Sequence, residues 1–209
     1  MLIISRIINK INLILENKRY HNLASGVVIP HDVIVSVPDN LIMLEGSEIE
    51  PGTVILNNHS KVIFGKYSGS GPNLTIIAGN HMSIVGKFLM QVTDEDKKEL
   101  DPNGQQDQDV VIGEDVWLGA NVTLLNGVHI GRGAVVAAGS VIRTKIPPYA
   151  IVAGNPAKVV GFRFTPEQVE EHEKILYPEE ERLTRNILDK NYKKYYLDRL
   201  KEINNLIRI

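Results

Sequence analysis

The stretch Val111–Ile142, VIGEDVWLGANVTLLNGVHIGRGAVVAAGSVI, places Ile112, Leu118, Leu124, Ile130, Val136 and Ile142 at a constant spacing of six residues. A step of six matches neither the helical period of about 3.6 nor the two-residue alternation of a strand. It fits a coil of short parallel strands, in which each side sends an aliphatic side chain inward and stacked turns bury together what one turn leaves exposed. The fold class read from this stretch is an all-β core, a parallel β-helix of hexapeptide repeats. Working outward, Met43, Ile49 and Ile55 keep the step, as do Phe64, Ser70 and Ile76, but nine residues separate Ile55 from Phe64. A frame slip is therefore expected near His59 to Val62. The fifth position of each repeat is small or β-branched (Val116, Val122, Val128, Ala134, Ser140, and earlier Thr53 and Ser68), as a tight interior corner requires. Gly113, Gly119 and Gly131 follow inward residues and read as turn positions.

Length and composition fit one soluble unit: 209 residues with a formal charge of −2 offer no basic field for nucleic acid. The chain has no cysteine, which excludes disulfides, thiolate metal sites and a thiol nucleophile. No apolar run reaches membrane-spanning length and no secretory cleavage pattern is evident, so a cytoplasmic location is expected.

Three further segments flank or interrupt the coil. Residues 1–20 read as an amphipathic helix, with Ile3, Ile4, Ile7, Ile8, Ile11, Ile14 and Leu15 on one face and Arg6, Lys10, Lys18 and Arg19 elsewhere. Such a helix covers an end or side of the coil, with peripheral membrane contact as the alternative. Residues 164–209 read as a helical extension: Thr165, Pro166 and Gln168 form an N-cap, an N1 proline and a capping box, and Pro178 ends the first helix. The tail tyrosines Tyr192, Tyr195 and Tyr196 are expected to pack on the body, with glycan binding as the alternative. The coil domain is then 21–163, interrupted by an insertion at about 78–110 that carries the charged run TDEDKKELDPNGQQDQD. A long polar insertion held by a rigid coil is a site for a cover over substrate, and His81 stands at its root.

The repeats, GNH at Gly79–His81, DVWLGANV at Asp115–Val122 and IPPYAIVAGNPAKVV at Ile146–Val160 together resemble the hexapeptide-repeat acyltransferases of the left-handed β-helix class, close to maltose, galactoside and xenobiotic acetyltransferases and polysaccharide O-acetyltransferases. The resemblance covers residues 41 to 163. It implies a homotrimer that takes acetyl-CoA in a cleft between adjacent coils and uses no metal. It also implies that His81 is the general base for an acceptor hydroxyl, a role suited to an imidazole whose ordinary titration lies near neutrality. Transfer is expected to be direct, because no serine stands beside a paired His and Asp. Asn80, Trp117 and Gly119 are assigned by the resemblance to the acyl and acceptor region, with a backbone amide near Gly119 as oxyanion donor. CoA contacts fall on Ala120, Ala138, Arg143, Thr144 and Lys158. Relatives often read T-K-D-I-P where this chain reads R-T-K-I-P, so Arg143 or Lys145 supplies the basic side chain.

The other histidines carry less. His59 lies at the frame slip, His129 at an outward coil position, and His21, His31 and His172 outside the clear repeats; no H-x4-H pair suggests a zinc site of the γ-class carbonic anhydrase kind. An exposed Trp117 requires cover from a ligand, the insertion or a neighbouring subunit. The acceptor expected is a sugar hydroxyl, in surface or capsular polysaccharide synthesis. Alternatives are N-acetylation of an amino sugar, a xenobiotic acceptor, or a non-enzymatic assembly scaffold.

Overall fold

The computed structural model describes residues 17–207. The repeat forms a three-sided parallel coil. One side holds β1 (Ile34–Val35), β3 (Val54–Leu56), β6 (Thr75–Ile77), β9 (Thr123–Leu125) and β12 (Val141–Ile142). The second holds β2 (Leu41–Met43), β4 (Val62–Phe64), β7 (Val110–Ile112) and β10 (His129–Ile130). The third holds β5 (Gly69–Ser70), β8 (Trp117–Leu118), β11 (Val135–Val136), β13 (Ala150–Gly154) and β14 (Ala157–Phe162). All neighbours pair parallel except β13 with β14, an antiparallel hairpin.

Register stacks like on like. Val35, Ile55, Ile76, Leu124 and Ile142 face one another down one side, and Met43, Phe64, Ile112 and Ile130 down another, all buried. Ser70 takes the aliphatic place above Leu118 and is also buried. The fifth-position residues Val116, Val122, Val128, Ala134 and Ser140 are buried too, as the corner argument required. Each inward aliphatic contributes about 1.5–3 kcal/mol, but only because the coils above and below exclude water from it.

The glycines that follow the inward residues are not where the backbone turns. Positive φ falls two residues later, on Asp115 (54°), Asn121 (56°) and Gly139 (71°) among others. Gly113, Gly119 and Gly131 are needed because the next coil is too close for a side chain. A Cβ at Gly113 would stand 2.8 Å from both the Arg132 nitrogen and the Ile130 carbonyl oxygen. One at Gly119 would stand 2.5 Å from the Ala138 nitrogen. The expectation that these are turn glycines is corrected: strands in neighbouring coils lie at the parallel ladder spacing, and the corner brings backbone directly over backbone.

The frame slip is real and rigid. Between β3 and β4 the chain loops out at 57–61, and the buried Asn57 side chain fixes the loop by accepting from the Val37 N–H (3.0 Å) and donating to the Val37 carbonyl (2.9 Å).

The C-terminal segment folds as α2 (Pro166–Leu176), α3 (Arg185–Tyr195) and α4 (Leu200–Leu206), while α1 (Asp94–Leu100) lies in the insertion. The α2 capping box forms as read, with Thr165 accepting from the Gln168 N–H. Tyr192 and Tyr196 pack on Phe162 of β14, as expected of the tail aromatics. Beneath α2, the buried Glu173 accepts from the Tyr149 hydroxyl (3.0 Å) and the Leu183 N–H (2.6 Å) and lies 3.4 Å from Arg132. Burial, then the Glu173 charge, pushes the Tyr149 phenol well above its ordinary range. The N-terminal helix read over 1–20 lies almost wholly outside the described residues. No helix among the described residues is long and apolar enough to cross a membrane.

Candidate active site

The insertion leaves the coil after β6 and returns at β7, and at its root the GNH segment is held from two sides. The Asn80 N–H donates to the Gln106 carbonyl (3.0 Å), and the Asn80 side chain donates to Asn126 Oδ1 (2.9 Å) on the coil. Gly79 admits Asp107, whose carboxylate pairs with Lys97 of α1 at 2.7 Å, largely shielded from solvent. The insertion is ordered by its own contacts. Thr93 caps α1, Lys87 and the Thr93 N–H hold the Asp96 carboxyl below its usual range, and the Gln106 and Gln105 amides do the same for Asp101.

Between insertion and coil lies a cavity of about 450 Å³. His81 opens into it with Asn80, Met82 and Asp94 on one side, and Leu56, Ile77 and Asn58 on the coil side. His59 lines it too, its Nε2 3.4 Å from Asp94 Oδ1. The weaker standing given to His59 in the sequence is thus corrected: the slip that broke the frame carries this imidazole outward into the same cavity as His81. His129 points outward, as read. His172 is half-buried among Tyr149, Phe164 and Asp115. The insertion is also less uniformly polar than its charged run suggested, since Val85, Phe88, Leu89 and Met90 are exposed on its first half.

The residues assigned to CoA flank one coil side. Gly71, Ala120 and Ala138 approach one another at the corner leading into the first side, and the Gly139 N–H donates to the Ala120 carbonyl (2.9 Å). At the opposite corner stand Arg143, Thr144 and Lys145, all exposed. The β9–β12 register carries Asn126 to Thr144 one coil later, so the basic trio is one coil from the asparagine that holds Asn80. Neither Arg143 nor Lys145 has an acidic partner among the described residues. Lys158 does: it pairs with Glu202 of α4 at 3.0 Å, so a phosphate there competes with a carboxylate.

One assignment does not join this group within one chain. Trp117 is 48% exposed and lies on the third side, between Gly69 and Val135, beside a groove that includes Tyr67 and Arg163. The Gly119 N–H donates to the Val136 carbonyl at 2.8 Å. That amide is spent in the ladder, so a donor near Gly119 would have to be a neighbouring amide. No group of three or more His, Asp or Glu side chains that could hold a metal occurs among the described residues.

Comparison with known proteins gives this geometry a context. Residues 109–144 match the family "Bacterial transferase hexapeptide (six repeats)". A probable macrolide acetyltransferase of Lysinibacillus sphaericus is 35% identical over 53% of this chain and 64% of its own length. A chloramphenicol acetyltransferase of Klebsiella aerogenes is 38% identical over 52% of this chain and 55% of its own. The chain thus spans somewhat more than half the length of these relatives. Among solved structures, a hexapeptide-repeat acetyltransferase of Vibrio cholerae O1 biovar eltor, complexed with acetyl coenzyme A, superposes with a TM-score of 0.58 at 21% identity, covering 72% of this chain and 75% of the other. By its repeats and its sequence relatives the chain is similar to hexapeptide-repeat acetyltransferases, and it shares the fold of the solved ones.

Proposed function

We propose that this protein is an acetyl-CoA-dependent O-acetyltransferase in which His81 deprotonates an acceptor hydroxyl. The observation that carries the reading is the clamped GNH segment: Asn80 is tied to both the insertion and the coil, which fixes the backbone that carries His81 at the cavity wall. The hydroxyl oxygen attacks the thioester carbonyl carbon while the imidazole takes its proton. The tetrahedral intermediate then expels the CoA thiolate, which recovers that proton from the imidazolium, leaving an acetyl ester and free CoA thiol. The chain offers no cysteine for an acyl-enzyme route.

CoA lies along the first coil side in this reading. Ala120 and Ala138 let the pantetheine arm approach the wall, and Arg143, Thr144, Lys145 and Lys158 meet its phosphates; the two unpaired cations, Arg143 and Lys145, bear most of that charge. The coil is left-handed and assembles as a homotrimer, because Trp117 and His81 lie on different sides of one coil and a neighbouring subunit unites them. In this reading the domain limits are 1–20, 21–163 and 164–209, with no nucleic-acid partner and a cytoplasmic location.

The acceptor is a sugar hydroxyl, in keeping with the polar side chains around the cavity, and surface polysaccharide synthesis is the setting. A xenobiotic alcohol is the second reading, favoured by the relatives named for macrolide and chloramphenicol. The test is thiol release from acetyl-CoA across saccharide and antibiotic acceptors. His81→Ala is expected to lower transfer by about two to four orders of magnitude with CoA binding unchanged, and retained activity would move the base elsewhere.

A further inference from the structure

The cavity beside His81 has a second polar pole that the transfer chemistry leaves unused. His59 comes from the frame slip and Asp94 from the first turn of α1, and their side chains meet at 3.4 Å across the junction of coil and insertion. As a staple this contact is weak: the two side chains are 44% and 63% exposed, and ion pairs so open to water contribute about 0–1 kcal/mol. The loop does not depend on it either. Asn57 locks the slip from below, and Lys97 with Asp107 and the Thr93 capping box hold the insertion.

What the pair does provide is direction. Asn57 fixes the base of the loop that carries His59, and His59 in turn restrains the Asp94 carboxylate at the wall of the cavity that His81 also lines. The coil side of that cavity is apolar at Leu56 and Ile77, whereas the remaining wall, Met82 and Val92 apart, is mostly polar. An apolar patch under a ring of acceptors and donors suits a flat, polyhydroxylated molecule. A carboxylate that is only partly shielded takes a hydrogen bond from a hydroxyl without the cost of burying a free charge.

We infer that Asp94 is a specificity-determining residue that accepts a hydrogen bond from a second acceptor hydroxyl, adjacent to the one His81 deprotonates, and that His59 is the positioning residue for its carboxylate. The acceptor class is thereby narrowed to vicinal diols, of which pyranosides are examples. This inference rests on the assignment of His81 as the base.

The experiment compares a methyl pyranoside acceptor with its monodeoxy analogues by thiol release from acetyl-CoA, in the wild type, Asp94→Asn, Asp94→Glu, His59→Gln and His81→Ala. A hydrogen bond to a charged group corresponds to roughly 10–100-fold in acceptor kcat/KM. The wild type is expected to favour the diol over the critical deoxy analogue by that factor, and Asp94→Asn, whose amide oxygen still accepts but carries no charge, to cut the preference to the roughly 2–10-fold of a neutral hydrogen bond through acceptor KM, with acetyl-CoA KM unchanged. Asp94→Glu should recover part of the preference and His59→Gln should lose part. A uniform loss with both acceptors and an unchanged diol preference would mean that Asp94 merely supports the loop and would overturn the inference. Amide exchange over 84–109 in Asp94→Asn keeps that outcome separable from an unfolded insertion: native protection with an unaltered preference overturns it as well. If instead His81→Ala transfers normally, it is the base assignment that fails.

Discussion

Replacing Gly113 and Gly139 by alanine, one at a time, separates two reasons for glycine that look alike in the sequence. At Gly113 the new methyl would lie 2.8 Å from the Arg132 nitrogen and 2.8 Å from the Ile130 carbonyl oxygen, both backbone. Neither can rotate away, and retreat of the lower coil would stretch the Gly113 N–H to Ile130 carbonyl bond, now 2.9 Å. The cost belongs at the upper end of overpacking, about 3 kcal/mol. At Gly139 nothing lies within 4 Å of the new methyl, and the penalty is only that of an alanine at φ +71°, about 1 kcal/mol. For a chain of this size each kcal/mol moves Tm by about 2–4 °C, so the expected losses are roughly 6–12 °C and 2–4 °C. Circular dichroism melts and urea midpoints at one protein concentration supply the comparison. Gly139→Asn adds a control: Asn121 holds the same corner one coil earlier at φ 56°, so asparagine there should cost almost nothing. If Gly139→Ala proved as damaging as Gly113→Ala, coil contact would not be what excludes a side chain from the second repeat position.

Deleting residues 84–109 and joining the ends with a short linker should leave the coil folded, since no residue in that span is buried, while acceptor turnover is lost and CoA affinity changes little. Calorimetric titration with CoA and circular dichroism check both halves, and an unfolded product would place the insertion within the packed body. Glu173→Ala removes a carboxylate that is 1% exposed and strands the Tyr149 hydroxyl and the Leu183 amide, while Arg132 keeps Glu114 and the Glu181 carbonyl, so a loss of about 3 kcal/mol is expected, together with early amide exchange in α2 and α3. Glu202 is held at about 2 by hydrogen bonds from Arg199 and Lys158, below the ordinary carboxylate value of 4.5. Because the folded value is depressed, the docking of α4 on β14 is fully supported above pH 4.5 and weakens as pH falls toward 2, which exchange of the α4 amides across that window would register.

The hexapeptide frame was legible without coordinates because a coil repeats its own environment: every sixth residue meets the same interior, so Ile112 through Ile142 write the architecture directly into the chain. The α2 cap was legible for a similar reason, being settled within four consecutive residues. The slip at His59 could be located but not interpreted, since its meaning depends on Asn57 reaching Val37 in an earlier coil and on Asp94 arriving from the insertion. The purpose of Gly113 and Gly119 was hidden in the same way. A glycine needed for a turn and one needed for a neighbour's backbone read identically until the neighbour, eighteen residues on, is in place. GNH marked His81 as a candidate, yet its clamps at Asn126 and Gln106, the pairing of Lys158 with Glu202 and the separation of Trp117 onto another side come from contacts between residues far apart in the chain. Local pattern determined which elements form and which residues face inward. Which polar side chains meet was decided only by the winding of the coil and the path of its insertion, because that winding alone sets distances between distant parts of the chain.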